Sequence, residues 1–109
     1  MPKKNKNEIF EEDLGVITKE KQEVKKPDMY AVILINDDYT PMDFVVYVLQ
    51  EIFHHPFDRA ERIMLSVHEE GVGVAGIYHF EIAEQKAYDT AEEAQQNQYP
   101  LKVTIEEIQ

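Results

Sequence analysis

The stretch from Tyr30 to Phe44, Y-A-V-I-L-I-N-D-D-Y-T-P-M-D-F, constrains the fold more than any other part of the chain. It begins as a continuous apolar, β-branched run, stops at Asn36-Asp37-Asp38 and restarts at Thr40-Pro41. A run this apolar has no solvated face, so Met29 to Ile35 reads as a central strand. Thr40 is a good helix N-cap, and Pro41 suits the first helical position because its missing N–H is not needed there. Asp43 then meets the positive end of the helix dipole. The result is a strand-to-helix unit with a well-specified boundary. Local structure does not require three consecutive polar side chains there, two of them acidic, so Asn36, Asp37 and Asp38 form the candidate site.

The first helix is expected from Pro41 to Phe53. Phe44, Val45, Val48, Leu49 and Ile52 follow the helical period, with Val46, Tyr47 and Phe53 widening the apolar face. His54-His55-Pro56 ends it. Neighbouring histidines on a helix point about 100° apart, and no acidic ligand stands at a suitable spacing, so the pair reads as a helix end rather than a metal site. Asp58-Arg59-Ala60-Glu61 resembles a capping box opening a second helix. That helix buries Ala60, Ile63, Met64 and Val67, is widened by Leu65 and ends at Gly71. His68 lies one turn after Met64 and borders the same patch. By itself, a histidine late in a helix reads first as a surface or C-cap residue.

Gly71, Gly73 and Gly76 lack the spacing and the following lysine of a phosphate loop, so the segment reads as a second strand with a bulge or a close approach. A third helix, Glu81 to Asn97, places Ala83, Ala87, Ala91 and Ala94 at three- and four-residue steps, a small-residue stripe that lets a helix lie close to a sheet. Its other side, with Glu84, Glu92, Glu93 and Gln95, reads as solvated or docking. Tyr99-Pro100 breaks the helix, and Leu101 to Ile105 alternates as a last strand. The order is β-α-α-β-α-β, an α+β sandwich with a three-stranded antiparallel sheet packed on three helices. Residues 28–109 form the core domain, and residues 1–27, with scattered charge and no sustained period, a flexible tail.

The 7 Lys of residues 1–28 are balanced by 7 acidic residues, so the whole net charge of −11 falls on residues 29–109. Such a surface repels phosphate backbones, which argues against nucleic acid and favours cationic ligands. With no cysteine the fold is held by packing alone. No apolar run reaches the roughly 20 residues that span a bilayer, and no signal-peptide core follows the Lys-rich start. A cytoplasmic, monomeric protein without cofactor or metal is expected. About 80 residues support one modest core, so a ligand must be small or be the end of something larger.

The segments Y-A-V-I-L-I-N-D-D-Y-T-P-M-D-F-V, I-M-L-S-V-H-E-E-G, E-I-A-E-Q-K and Y-P-L together resemble the ClpS family, the bacterial adaptors of the N-end rule pathway, from Pro27 to the C-terminus. The resemblance implies an adaptor that binds proteins bearing N-terminal Leu, Phe, Tyr or Trp and delivers them to a ClpA-type AAA+ unfoldase, through its N-terminal domain, for degradation by ClpP. It places the α-amino group against Asn36, one or both of Asp37 and Asp38, and His68. It lines the side-chain pocket with Thr40, Met42, Val45, Met64, Val67 and Leu101, and it points Glu81 and Lys86 at the unfoldase. The chemistry agrees, because an ammonium has three donors and no acceptor and wants such oxygens and a neutral imidazole nitrogen. In this light His68 becomes a ligand contact, and the unbranched Met42 limits the pocket mouth against side chains branched at Cβ. His79-Phe80 departs from the family pattern, where Thr and a non-aromatic residue are expected before Glu81.

Two other classes are set beside this reading. A peptidase acting on free N-termini would use Asp37 or Asp38 with His68 as acid and base, but the sequence offers no nucleophile, metal set or oxyanion donor. An acidic interaction module would bind a basic partner by charge alone and lose affinity steeply with salt.

Overall fold

The computed structural model describes residues 17–19 and 29–108 of the chain. In order these form β1 (Ile17–Lys19), β2 (Met29–Ile35), α1 (Met42–Glu51), α2 (Phe57–Glu70), β3 (Val72–His79), α3 (Phe80–Gln96) and β4 (Lys102–Ile108). The expected β-α-α-β-α-β succession is present from Met29 onward. β2 is the central strand, antiparallel to β3 on one side and to β4 on the other. A fourth strand adds to the expected three: β1 pairs in parallel with the outer edge of β4, Ile17 opposite Thr104. At three residues it is too short to display a period in sequence. Apart from these residues, the expected tail lies outside the described residues.

β2 explains the layering. Tyr30, Val32 and Leu34 turn to the helices and are buried, with Val103 and Ile105 beside them on β4. Against them α1 packs Phe44, Val45, Val48 and Leu49, and α3 packs Ala83, Ala87 and Ala94. The small side chains let α3 sit close to the sheet, as its alanine spacing predicts. Two details differ from expectation. Thr90, fully buried with its hydroxyl donating to the Lys86 carbonyl at 2.8 Å, lies deeper than the half-buried Ala91. Glu84, expected on a solvated or docking side, is buried, since it lies three residues before the buried Ala87 and so on the same helix face.

The glycine-rich strand contains both features expected of it. β3 carries a bulge opposite Val32 and Ile33, where Ala75 has no Cα partner. The Ala75 carbonyl accepts a hydrogen bond from His55 Nε2 at 2.6 Å, which fastens the α1–α2 turn to the sheet. At Gly73, a Cβ would stand 2.6 Å from Val67 Cγ2 and 3.3 Å from the Ile63 carbonyl oxygen, so only glycine allows α2 to press this close to β3.

The helix starts are corrected. Pro41 and Pro56, both extended, occupy the N-cap positions of α1 and α2, and neither helix has a side-chain cap. Thr40 falls one position before the N-cap, and its hydroxyl donates to Asp37 Oδ2 rather than accepting from the first turn of α1. Asp58 lies inside the first turn of α2, where it meets the dipole rather than closing a capping box. α1 stops at Glu51, two residues earlier than expected for Phe53, which stays buried in the turn that follows. Tyr47, expected to widen the buried stripe, is exposed, and its hydroxyl donates to Glu93 at 3.4 Å.

Candidate functional site

The site is assembled where the end of β2, the start of α1 and the end of α2 meet. The loop between β2 and α1 is organised by the Asp37 carboxylate. Its Oδ1 accepts the backbone N–H groups of Tyr39 at 2.7 Å and Thr40 at 2.8 Å, and its Oδ2 accepts the Thr40 hydroxyl at 2.6 Å. This self-capping turn is a known habit of aspartate. α2 ends at Gly71, whose φ of 92° is left-handed and whose N–H donates to the Val67 carbonyl at 3.0 Å. The Gly71 carbonyl in turn accepts the Asn36 N–H at 2.9 Å, so the strand end and the helix end are joined by backbone.

A cavity of about 280 Å³ opens at this junction. Val45, Met64 and Val67, all buried, form its apolar part, with the half-buried Thr40 and the exposed Met42 at its edge. Asn36, Asp37, Asp38 and His68 form its polar part, and all but the half-buried Asp37 are exposed. The site therefore joins an apolar recess to a group of hydrogen-bond acceptors. A ligand suited to it carries a cationic donor group next to an apolar side chain.

Partial burial pushes the Asp37 carboxyl up, but the Thr40 hydroxyl, the two backbone amides and the Lys102 charge outweigh it and hold the group below its ordinary value. Asp37 thus stays ionised. Of the roughly four acceptor positions on a carboxylate, three are filled within the loop, which leaves one on Oδ2. The contribution of Lys102 could not be read from sequence. It arises because β2 and β4 pair with Ile35 opposite Lys102.

Nine of the ten residues expected at the site line this one cavity; the tenth, Leu101, does not. Leu101 is buried just before β4 and lines a second, larger and more open hollow of about 670 Å³ that adjoins the loop at Tyr39, with Gln95, Gln98 and Tyr99. The larger hollow has no charged group in its lining, so the smaller one holds the chemistry. Sequence reasoning missed this second hollow because its wall is made by the way α3 terminates.

The two residues expected at the docking edge lie on α3. Glu81 is exposed in the first turn. Lys86 is half-buried, its Nζ donating to the Ile52 carbonyl at 2.8 Å and standing 5.5 Å from the centre of the Tyr78 ring. His79 is exposed at the N-cap position, while Phe80 packs edge-on against Tyr30 with ring centroids 5.0 Å apart. Among the described residues, no three His, Cys, Asp or Glu side chains are grouped to hold a metal ion, and no helix is long and apolar enough to cross a membrane.

Comparison with known proteins places the chain. The family profile described as ATP-dependent Clp protease adaptor protein ClpS matches residues 25–104. The ClpS adapter of Parvibaculum lavamentivorans is 53% identical over 92 residues, covering 84% of each chain, and that of Bartonella henselae is 45% identical over 104 residues, covering 94% of each. The structure of Agrobacterium tumefaciens ClpS2 bound to L-phenylalaninamide superposes with a TM-score of 0.74 at 36% identity, covering 76% of this chain and all of the other. With a family profile matched across its folded domain and relatives about half identical, the chain belongs to the ClpS family of ATP-dependent Clp protease adaptors.

Proposed function

We propose that this ClpS-family adaptor binds the N-terminal residue of a protein in the cavity between α1 and α2. The α-ammonium sits against Asn36, Asp37, Asp38 and His68, and the side chain sits on Val45, Met64 and Val67 beneath Met42 and Thr40. The observation that carries this reading is the union of acceptors and apolar recess in one 280 Å³ cavity. The ligand named for the Agrobacterium relative, L-phenylalaninamide, supports it, since it consists of a free amine beside an aromatic side chain. Asp37 is the principal carboxylate because its position is fixed by the loop and one acceptor position stays open. Asp38 adds charge from the surface. Leu101 backs the loop from the adjoining hollow.

The bound protein, bearing Leu, Phe, Tyr or Trp at its N-terminus, is passed to a ClpA-type unfoldase for degradation by ClpP. The adaptor works in the cytoplasm as a monomer and performs no catalysis. It docks on the unfoldase N-terminal domain through Glu81 and the neighbouring Lys86. Residues 1–26 are offered to the unfoldase pore; the full reach of at most ~90 Å when extended requires the short pairing of β1 with β4 to be released.

Titration with three peptides tests the site: one beginning with Phe, the same peptide acetylated at its amine, and one beginning with Ala. Acetylation removes the donors that the polar groups require, at about 1–3 kcal/mol. Replacing Phe by Ala empties the recess at roughly 2 kcal/mol. Equal affinity for the free and acetylated Phe peptides refutes the assignment. Truncation of residues 1–26 tests delivery, with peptide affinity retained and degradation lost.

A further inference from the structure

The larger hollow beside the Asp37–Thr40 loop is not used by the proposed function, yet its wall is specifically built. α3 ends in a Schellman turn, with the Gln98 N–H donating to the Gln95 carbonyl at 3.0 Å and the Tyr99 N–H to the Ala94 carbonyl at 2.9 Å. Such turns need a left-handed residue, usually glycine, but here Gln98 takes that place at φ 62°. The turn brings Tyr99 back onto Phe44, with ring centroids 4.8 Å apart and edge-on, which fixes the wall. The Gln95 and Gln98 side chains and the Tyr39 ring, 78% exposed, are left on the outside, and Leu101 is buried beneath them. None of these residues is charged, in a domain that carries the entire net charge of −11.

We propose that this hollow is a second subsite for the bound polypeptide, taking an apolar side chain at the third position from its N-terminus. The inference rests on the smaller cavity being the seat of the first residue. Thr40 lines the smaller cavity and Tyr39 the larger. These residues are consecutive, so their Cα atoms are about 3.8 Å apart and the loop is a shared wall. A peptide leaving the first cavity in extended form advances about 3.3 Å per residue and alternates its side chains, so residues one and three face the same side about 7 Å apart. The Gln95 and Gln98 carboxamides offer donors and acceptors to the peptide backbone between them. The hollow is shallow and open to solvent, so it covers a Leu side chain in part and leaves the backbone beside it at the surface.

The test uses the full chain and four probes: L-phenylalaninamide, a tetrapeptide Phe-Ala-Ala-Ser, and its variants with Leu at position two or at position three. Leu at position three binds about three- to tenfold tighter than Ala, the increment for partial burial of one aliphatic side chain, and Leu at position two gives no gain. Tyr39→Ala and Gln98→Gly, both at exposed side chains, reduce the position-three preference to within about twofold and leave phenylalaninamide affinity unchanged. If phenylalaninamide binds but position three shows no preference, the subsite is overturned while the first-residue reading stands. That is also the result expected if the chain's own N-terminal segment fills the hollow. A preference carried at position two, or one that persists in both variants, overturns the subsite too. Failure of phenylalaninamide itself to bind overturns the reading on which it rests.

Discussion

The backbone N–H of Asn36 donates to the carbonyl oxygen of Gly71 at 2.9 Å. One bond between two main-chain groups thus ties the end of the central strand to the end of α2. Its consequence is that Asn36 and His68, distant in sequence, line the same cavity at the mouth of an apolar recess. Because a backbone bond survives side-chain substitution, the polar residues can be varied while the frame around them holds.

His68 is the first such residue to vary. A ring nitrogen that accepts a hydrogen bond from the peptide amine makes one charge-assisted contact with it. His68→Ala is expected to cost about ten- to a hundredfold in affinity, the equivalent of about 1.5–3 kcal/mol. Calorimetric titration of a Phe peptide into parent and variant measures the loss, and an unchanged dissociation constant refutes the contact.

The two aspartates should separate. Asp37→Asn keeps an acceptor for the Tyr39 and Thr40 amides but removes the charge, so the loop persists and affinity drops by tenfold or more, about 1.4 kcal/mol. Asp38→Asn, at an exposed position, is expected to cost threefold or less. Isothermal titration of both variants with phenylalaninamide decides which carboxylate holds the amine; a larger loss in Asp38→Asn reverses the assignment.

Asp37 also carries a pH signature. Its carboxyl lies below its ordinary value when folded, so the folded state binds that proton less readily than the unfolded one. The associated stability is complete above the ordinary value and is lost as pH falls through the lower folded one. Urea midpoints measured from neutral to strongly acid conditions should therefore fall less steeply in Asp37→Asn than in the parent over that acid interval.

Gly73→Ala tests the seam between α2 and β3. The new Cβ meets Val67 Cγ2 at 2.6 Å and the Ile63 carbonyl oxygen at 3.3 Å, which forces the helix outward. A loss of about 1–3 kcal/mol in urea denaturation is expected, and peptide affinity falls with it because Val67 and Met64 line the cavity. Loss of stability with unchanged affinity would show the recess to be independent of the seam.

Gln98→Gly should act in the opposite direction on stability. A non-glycine residue at φ 62° costs roughly 1–2 kcal/mol, part of which is returned through the greater freedom of glycine in the unfolded chain, so a gain of about 0.5–1 kcal/mol remains. A thermal melt checks it, and destabilisation would mean that the carboxamide holds the turn.

The sequence by itself determined the element order, because its signals are local. β2 shows as an unbroken apolar run, α1 and α2 as apolar residues at the helical period, the end of α2 as Gly71, and the close approach in β3 as glycines that had no other use. Asn36, Asp37 and Asp38 stood out because nothing local required them, and motif resemblance supplied the rest of the site list. Only the tertiary structure decided what depends on groups brought together from afar. Thr40 could not be told from an N-cap until Pro41 was seen in that position, since a threonine hydroxyl can equally accept from a helix N–H or donate to a carboxylate. Leu101 could not be assigned to a cavity, because the hollow it lines is formed by how α3 ends and how the chain enters β4. The proximity of Lys102 to Asp37 follows from the β2–β4 register, and the second hollow follows from a left-handed Gln98. Registers and helix ends are fixed by the sum of many weak long-range contacts, which no single window of sequence contains.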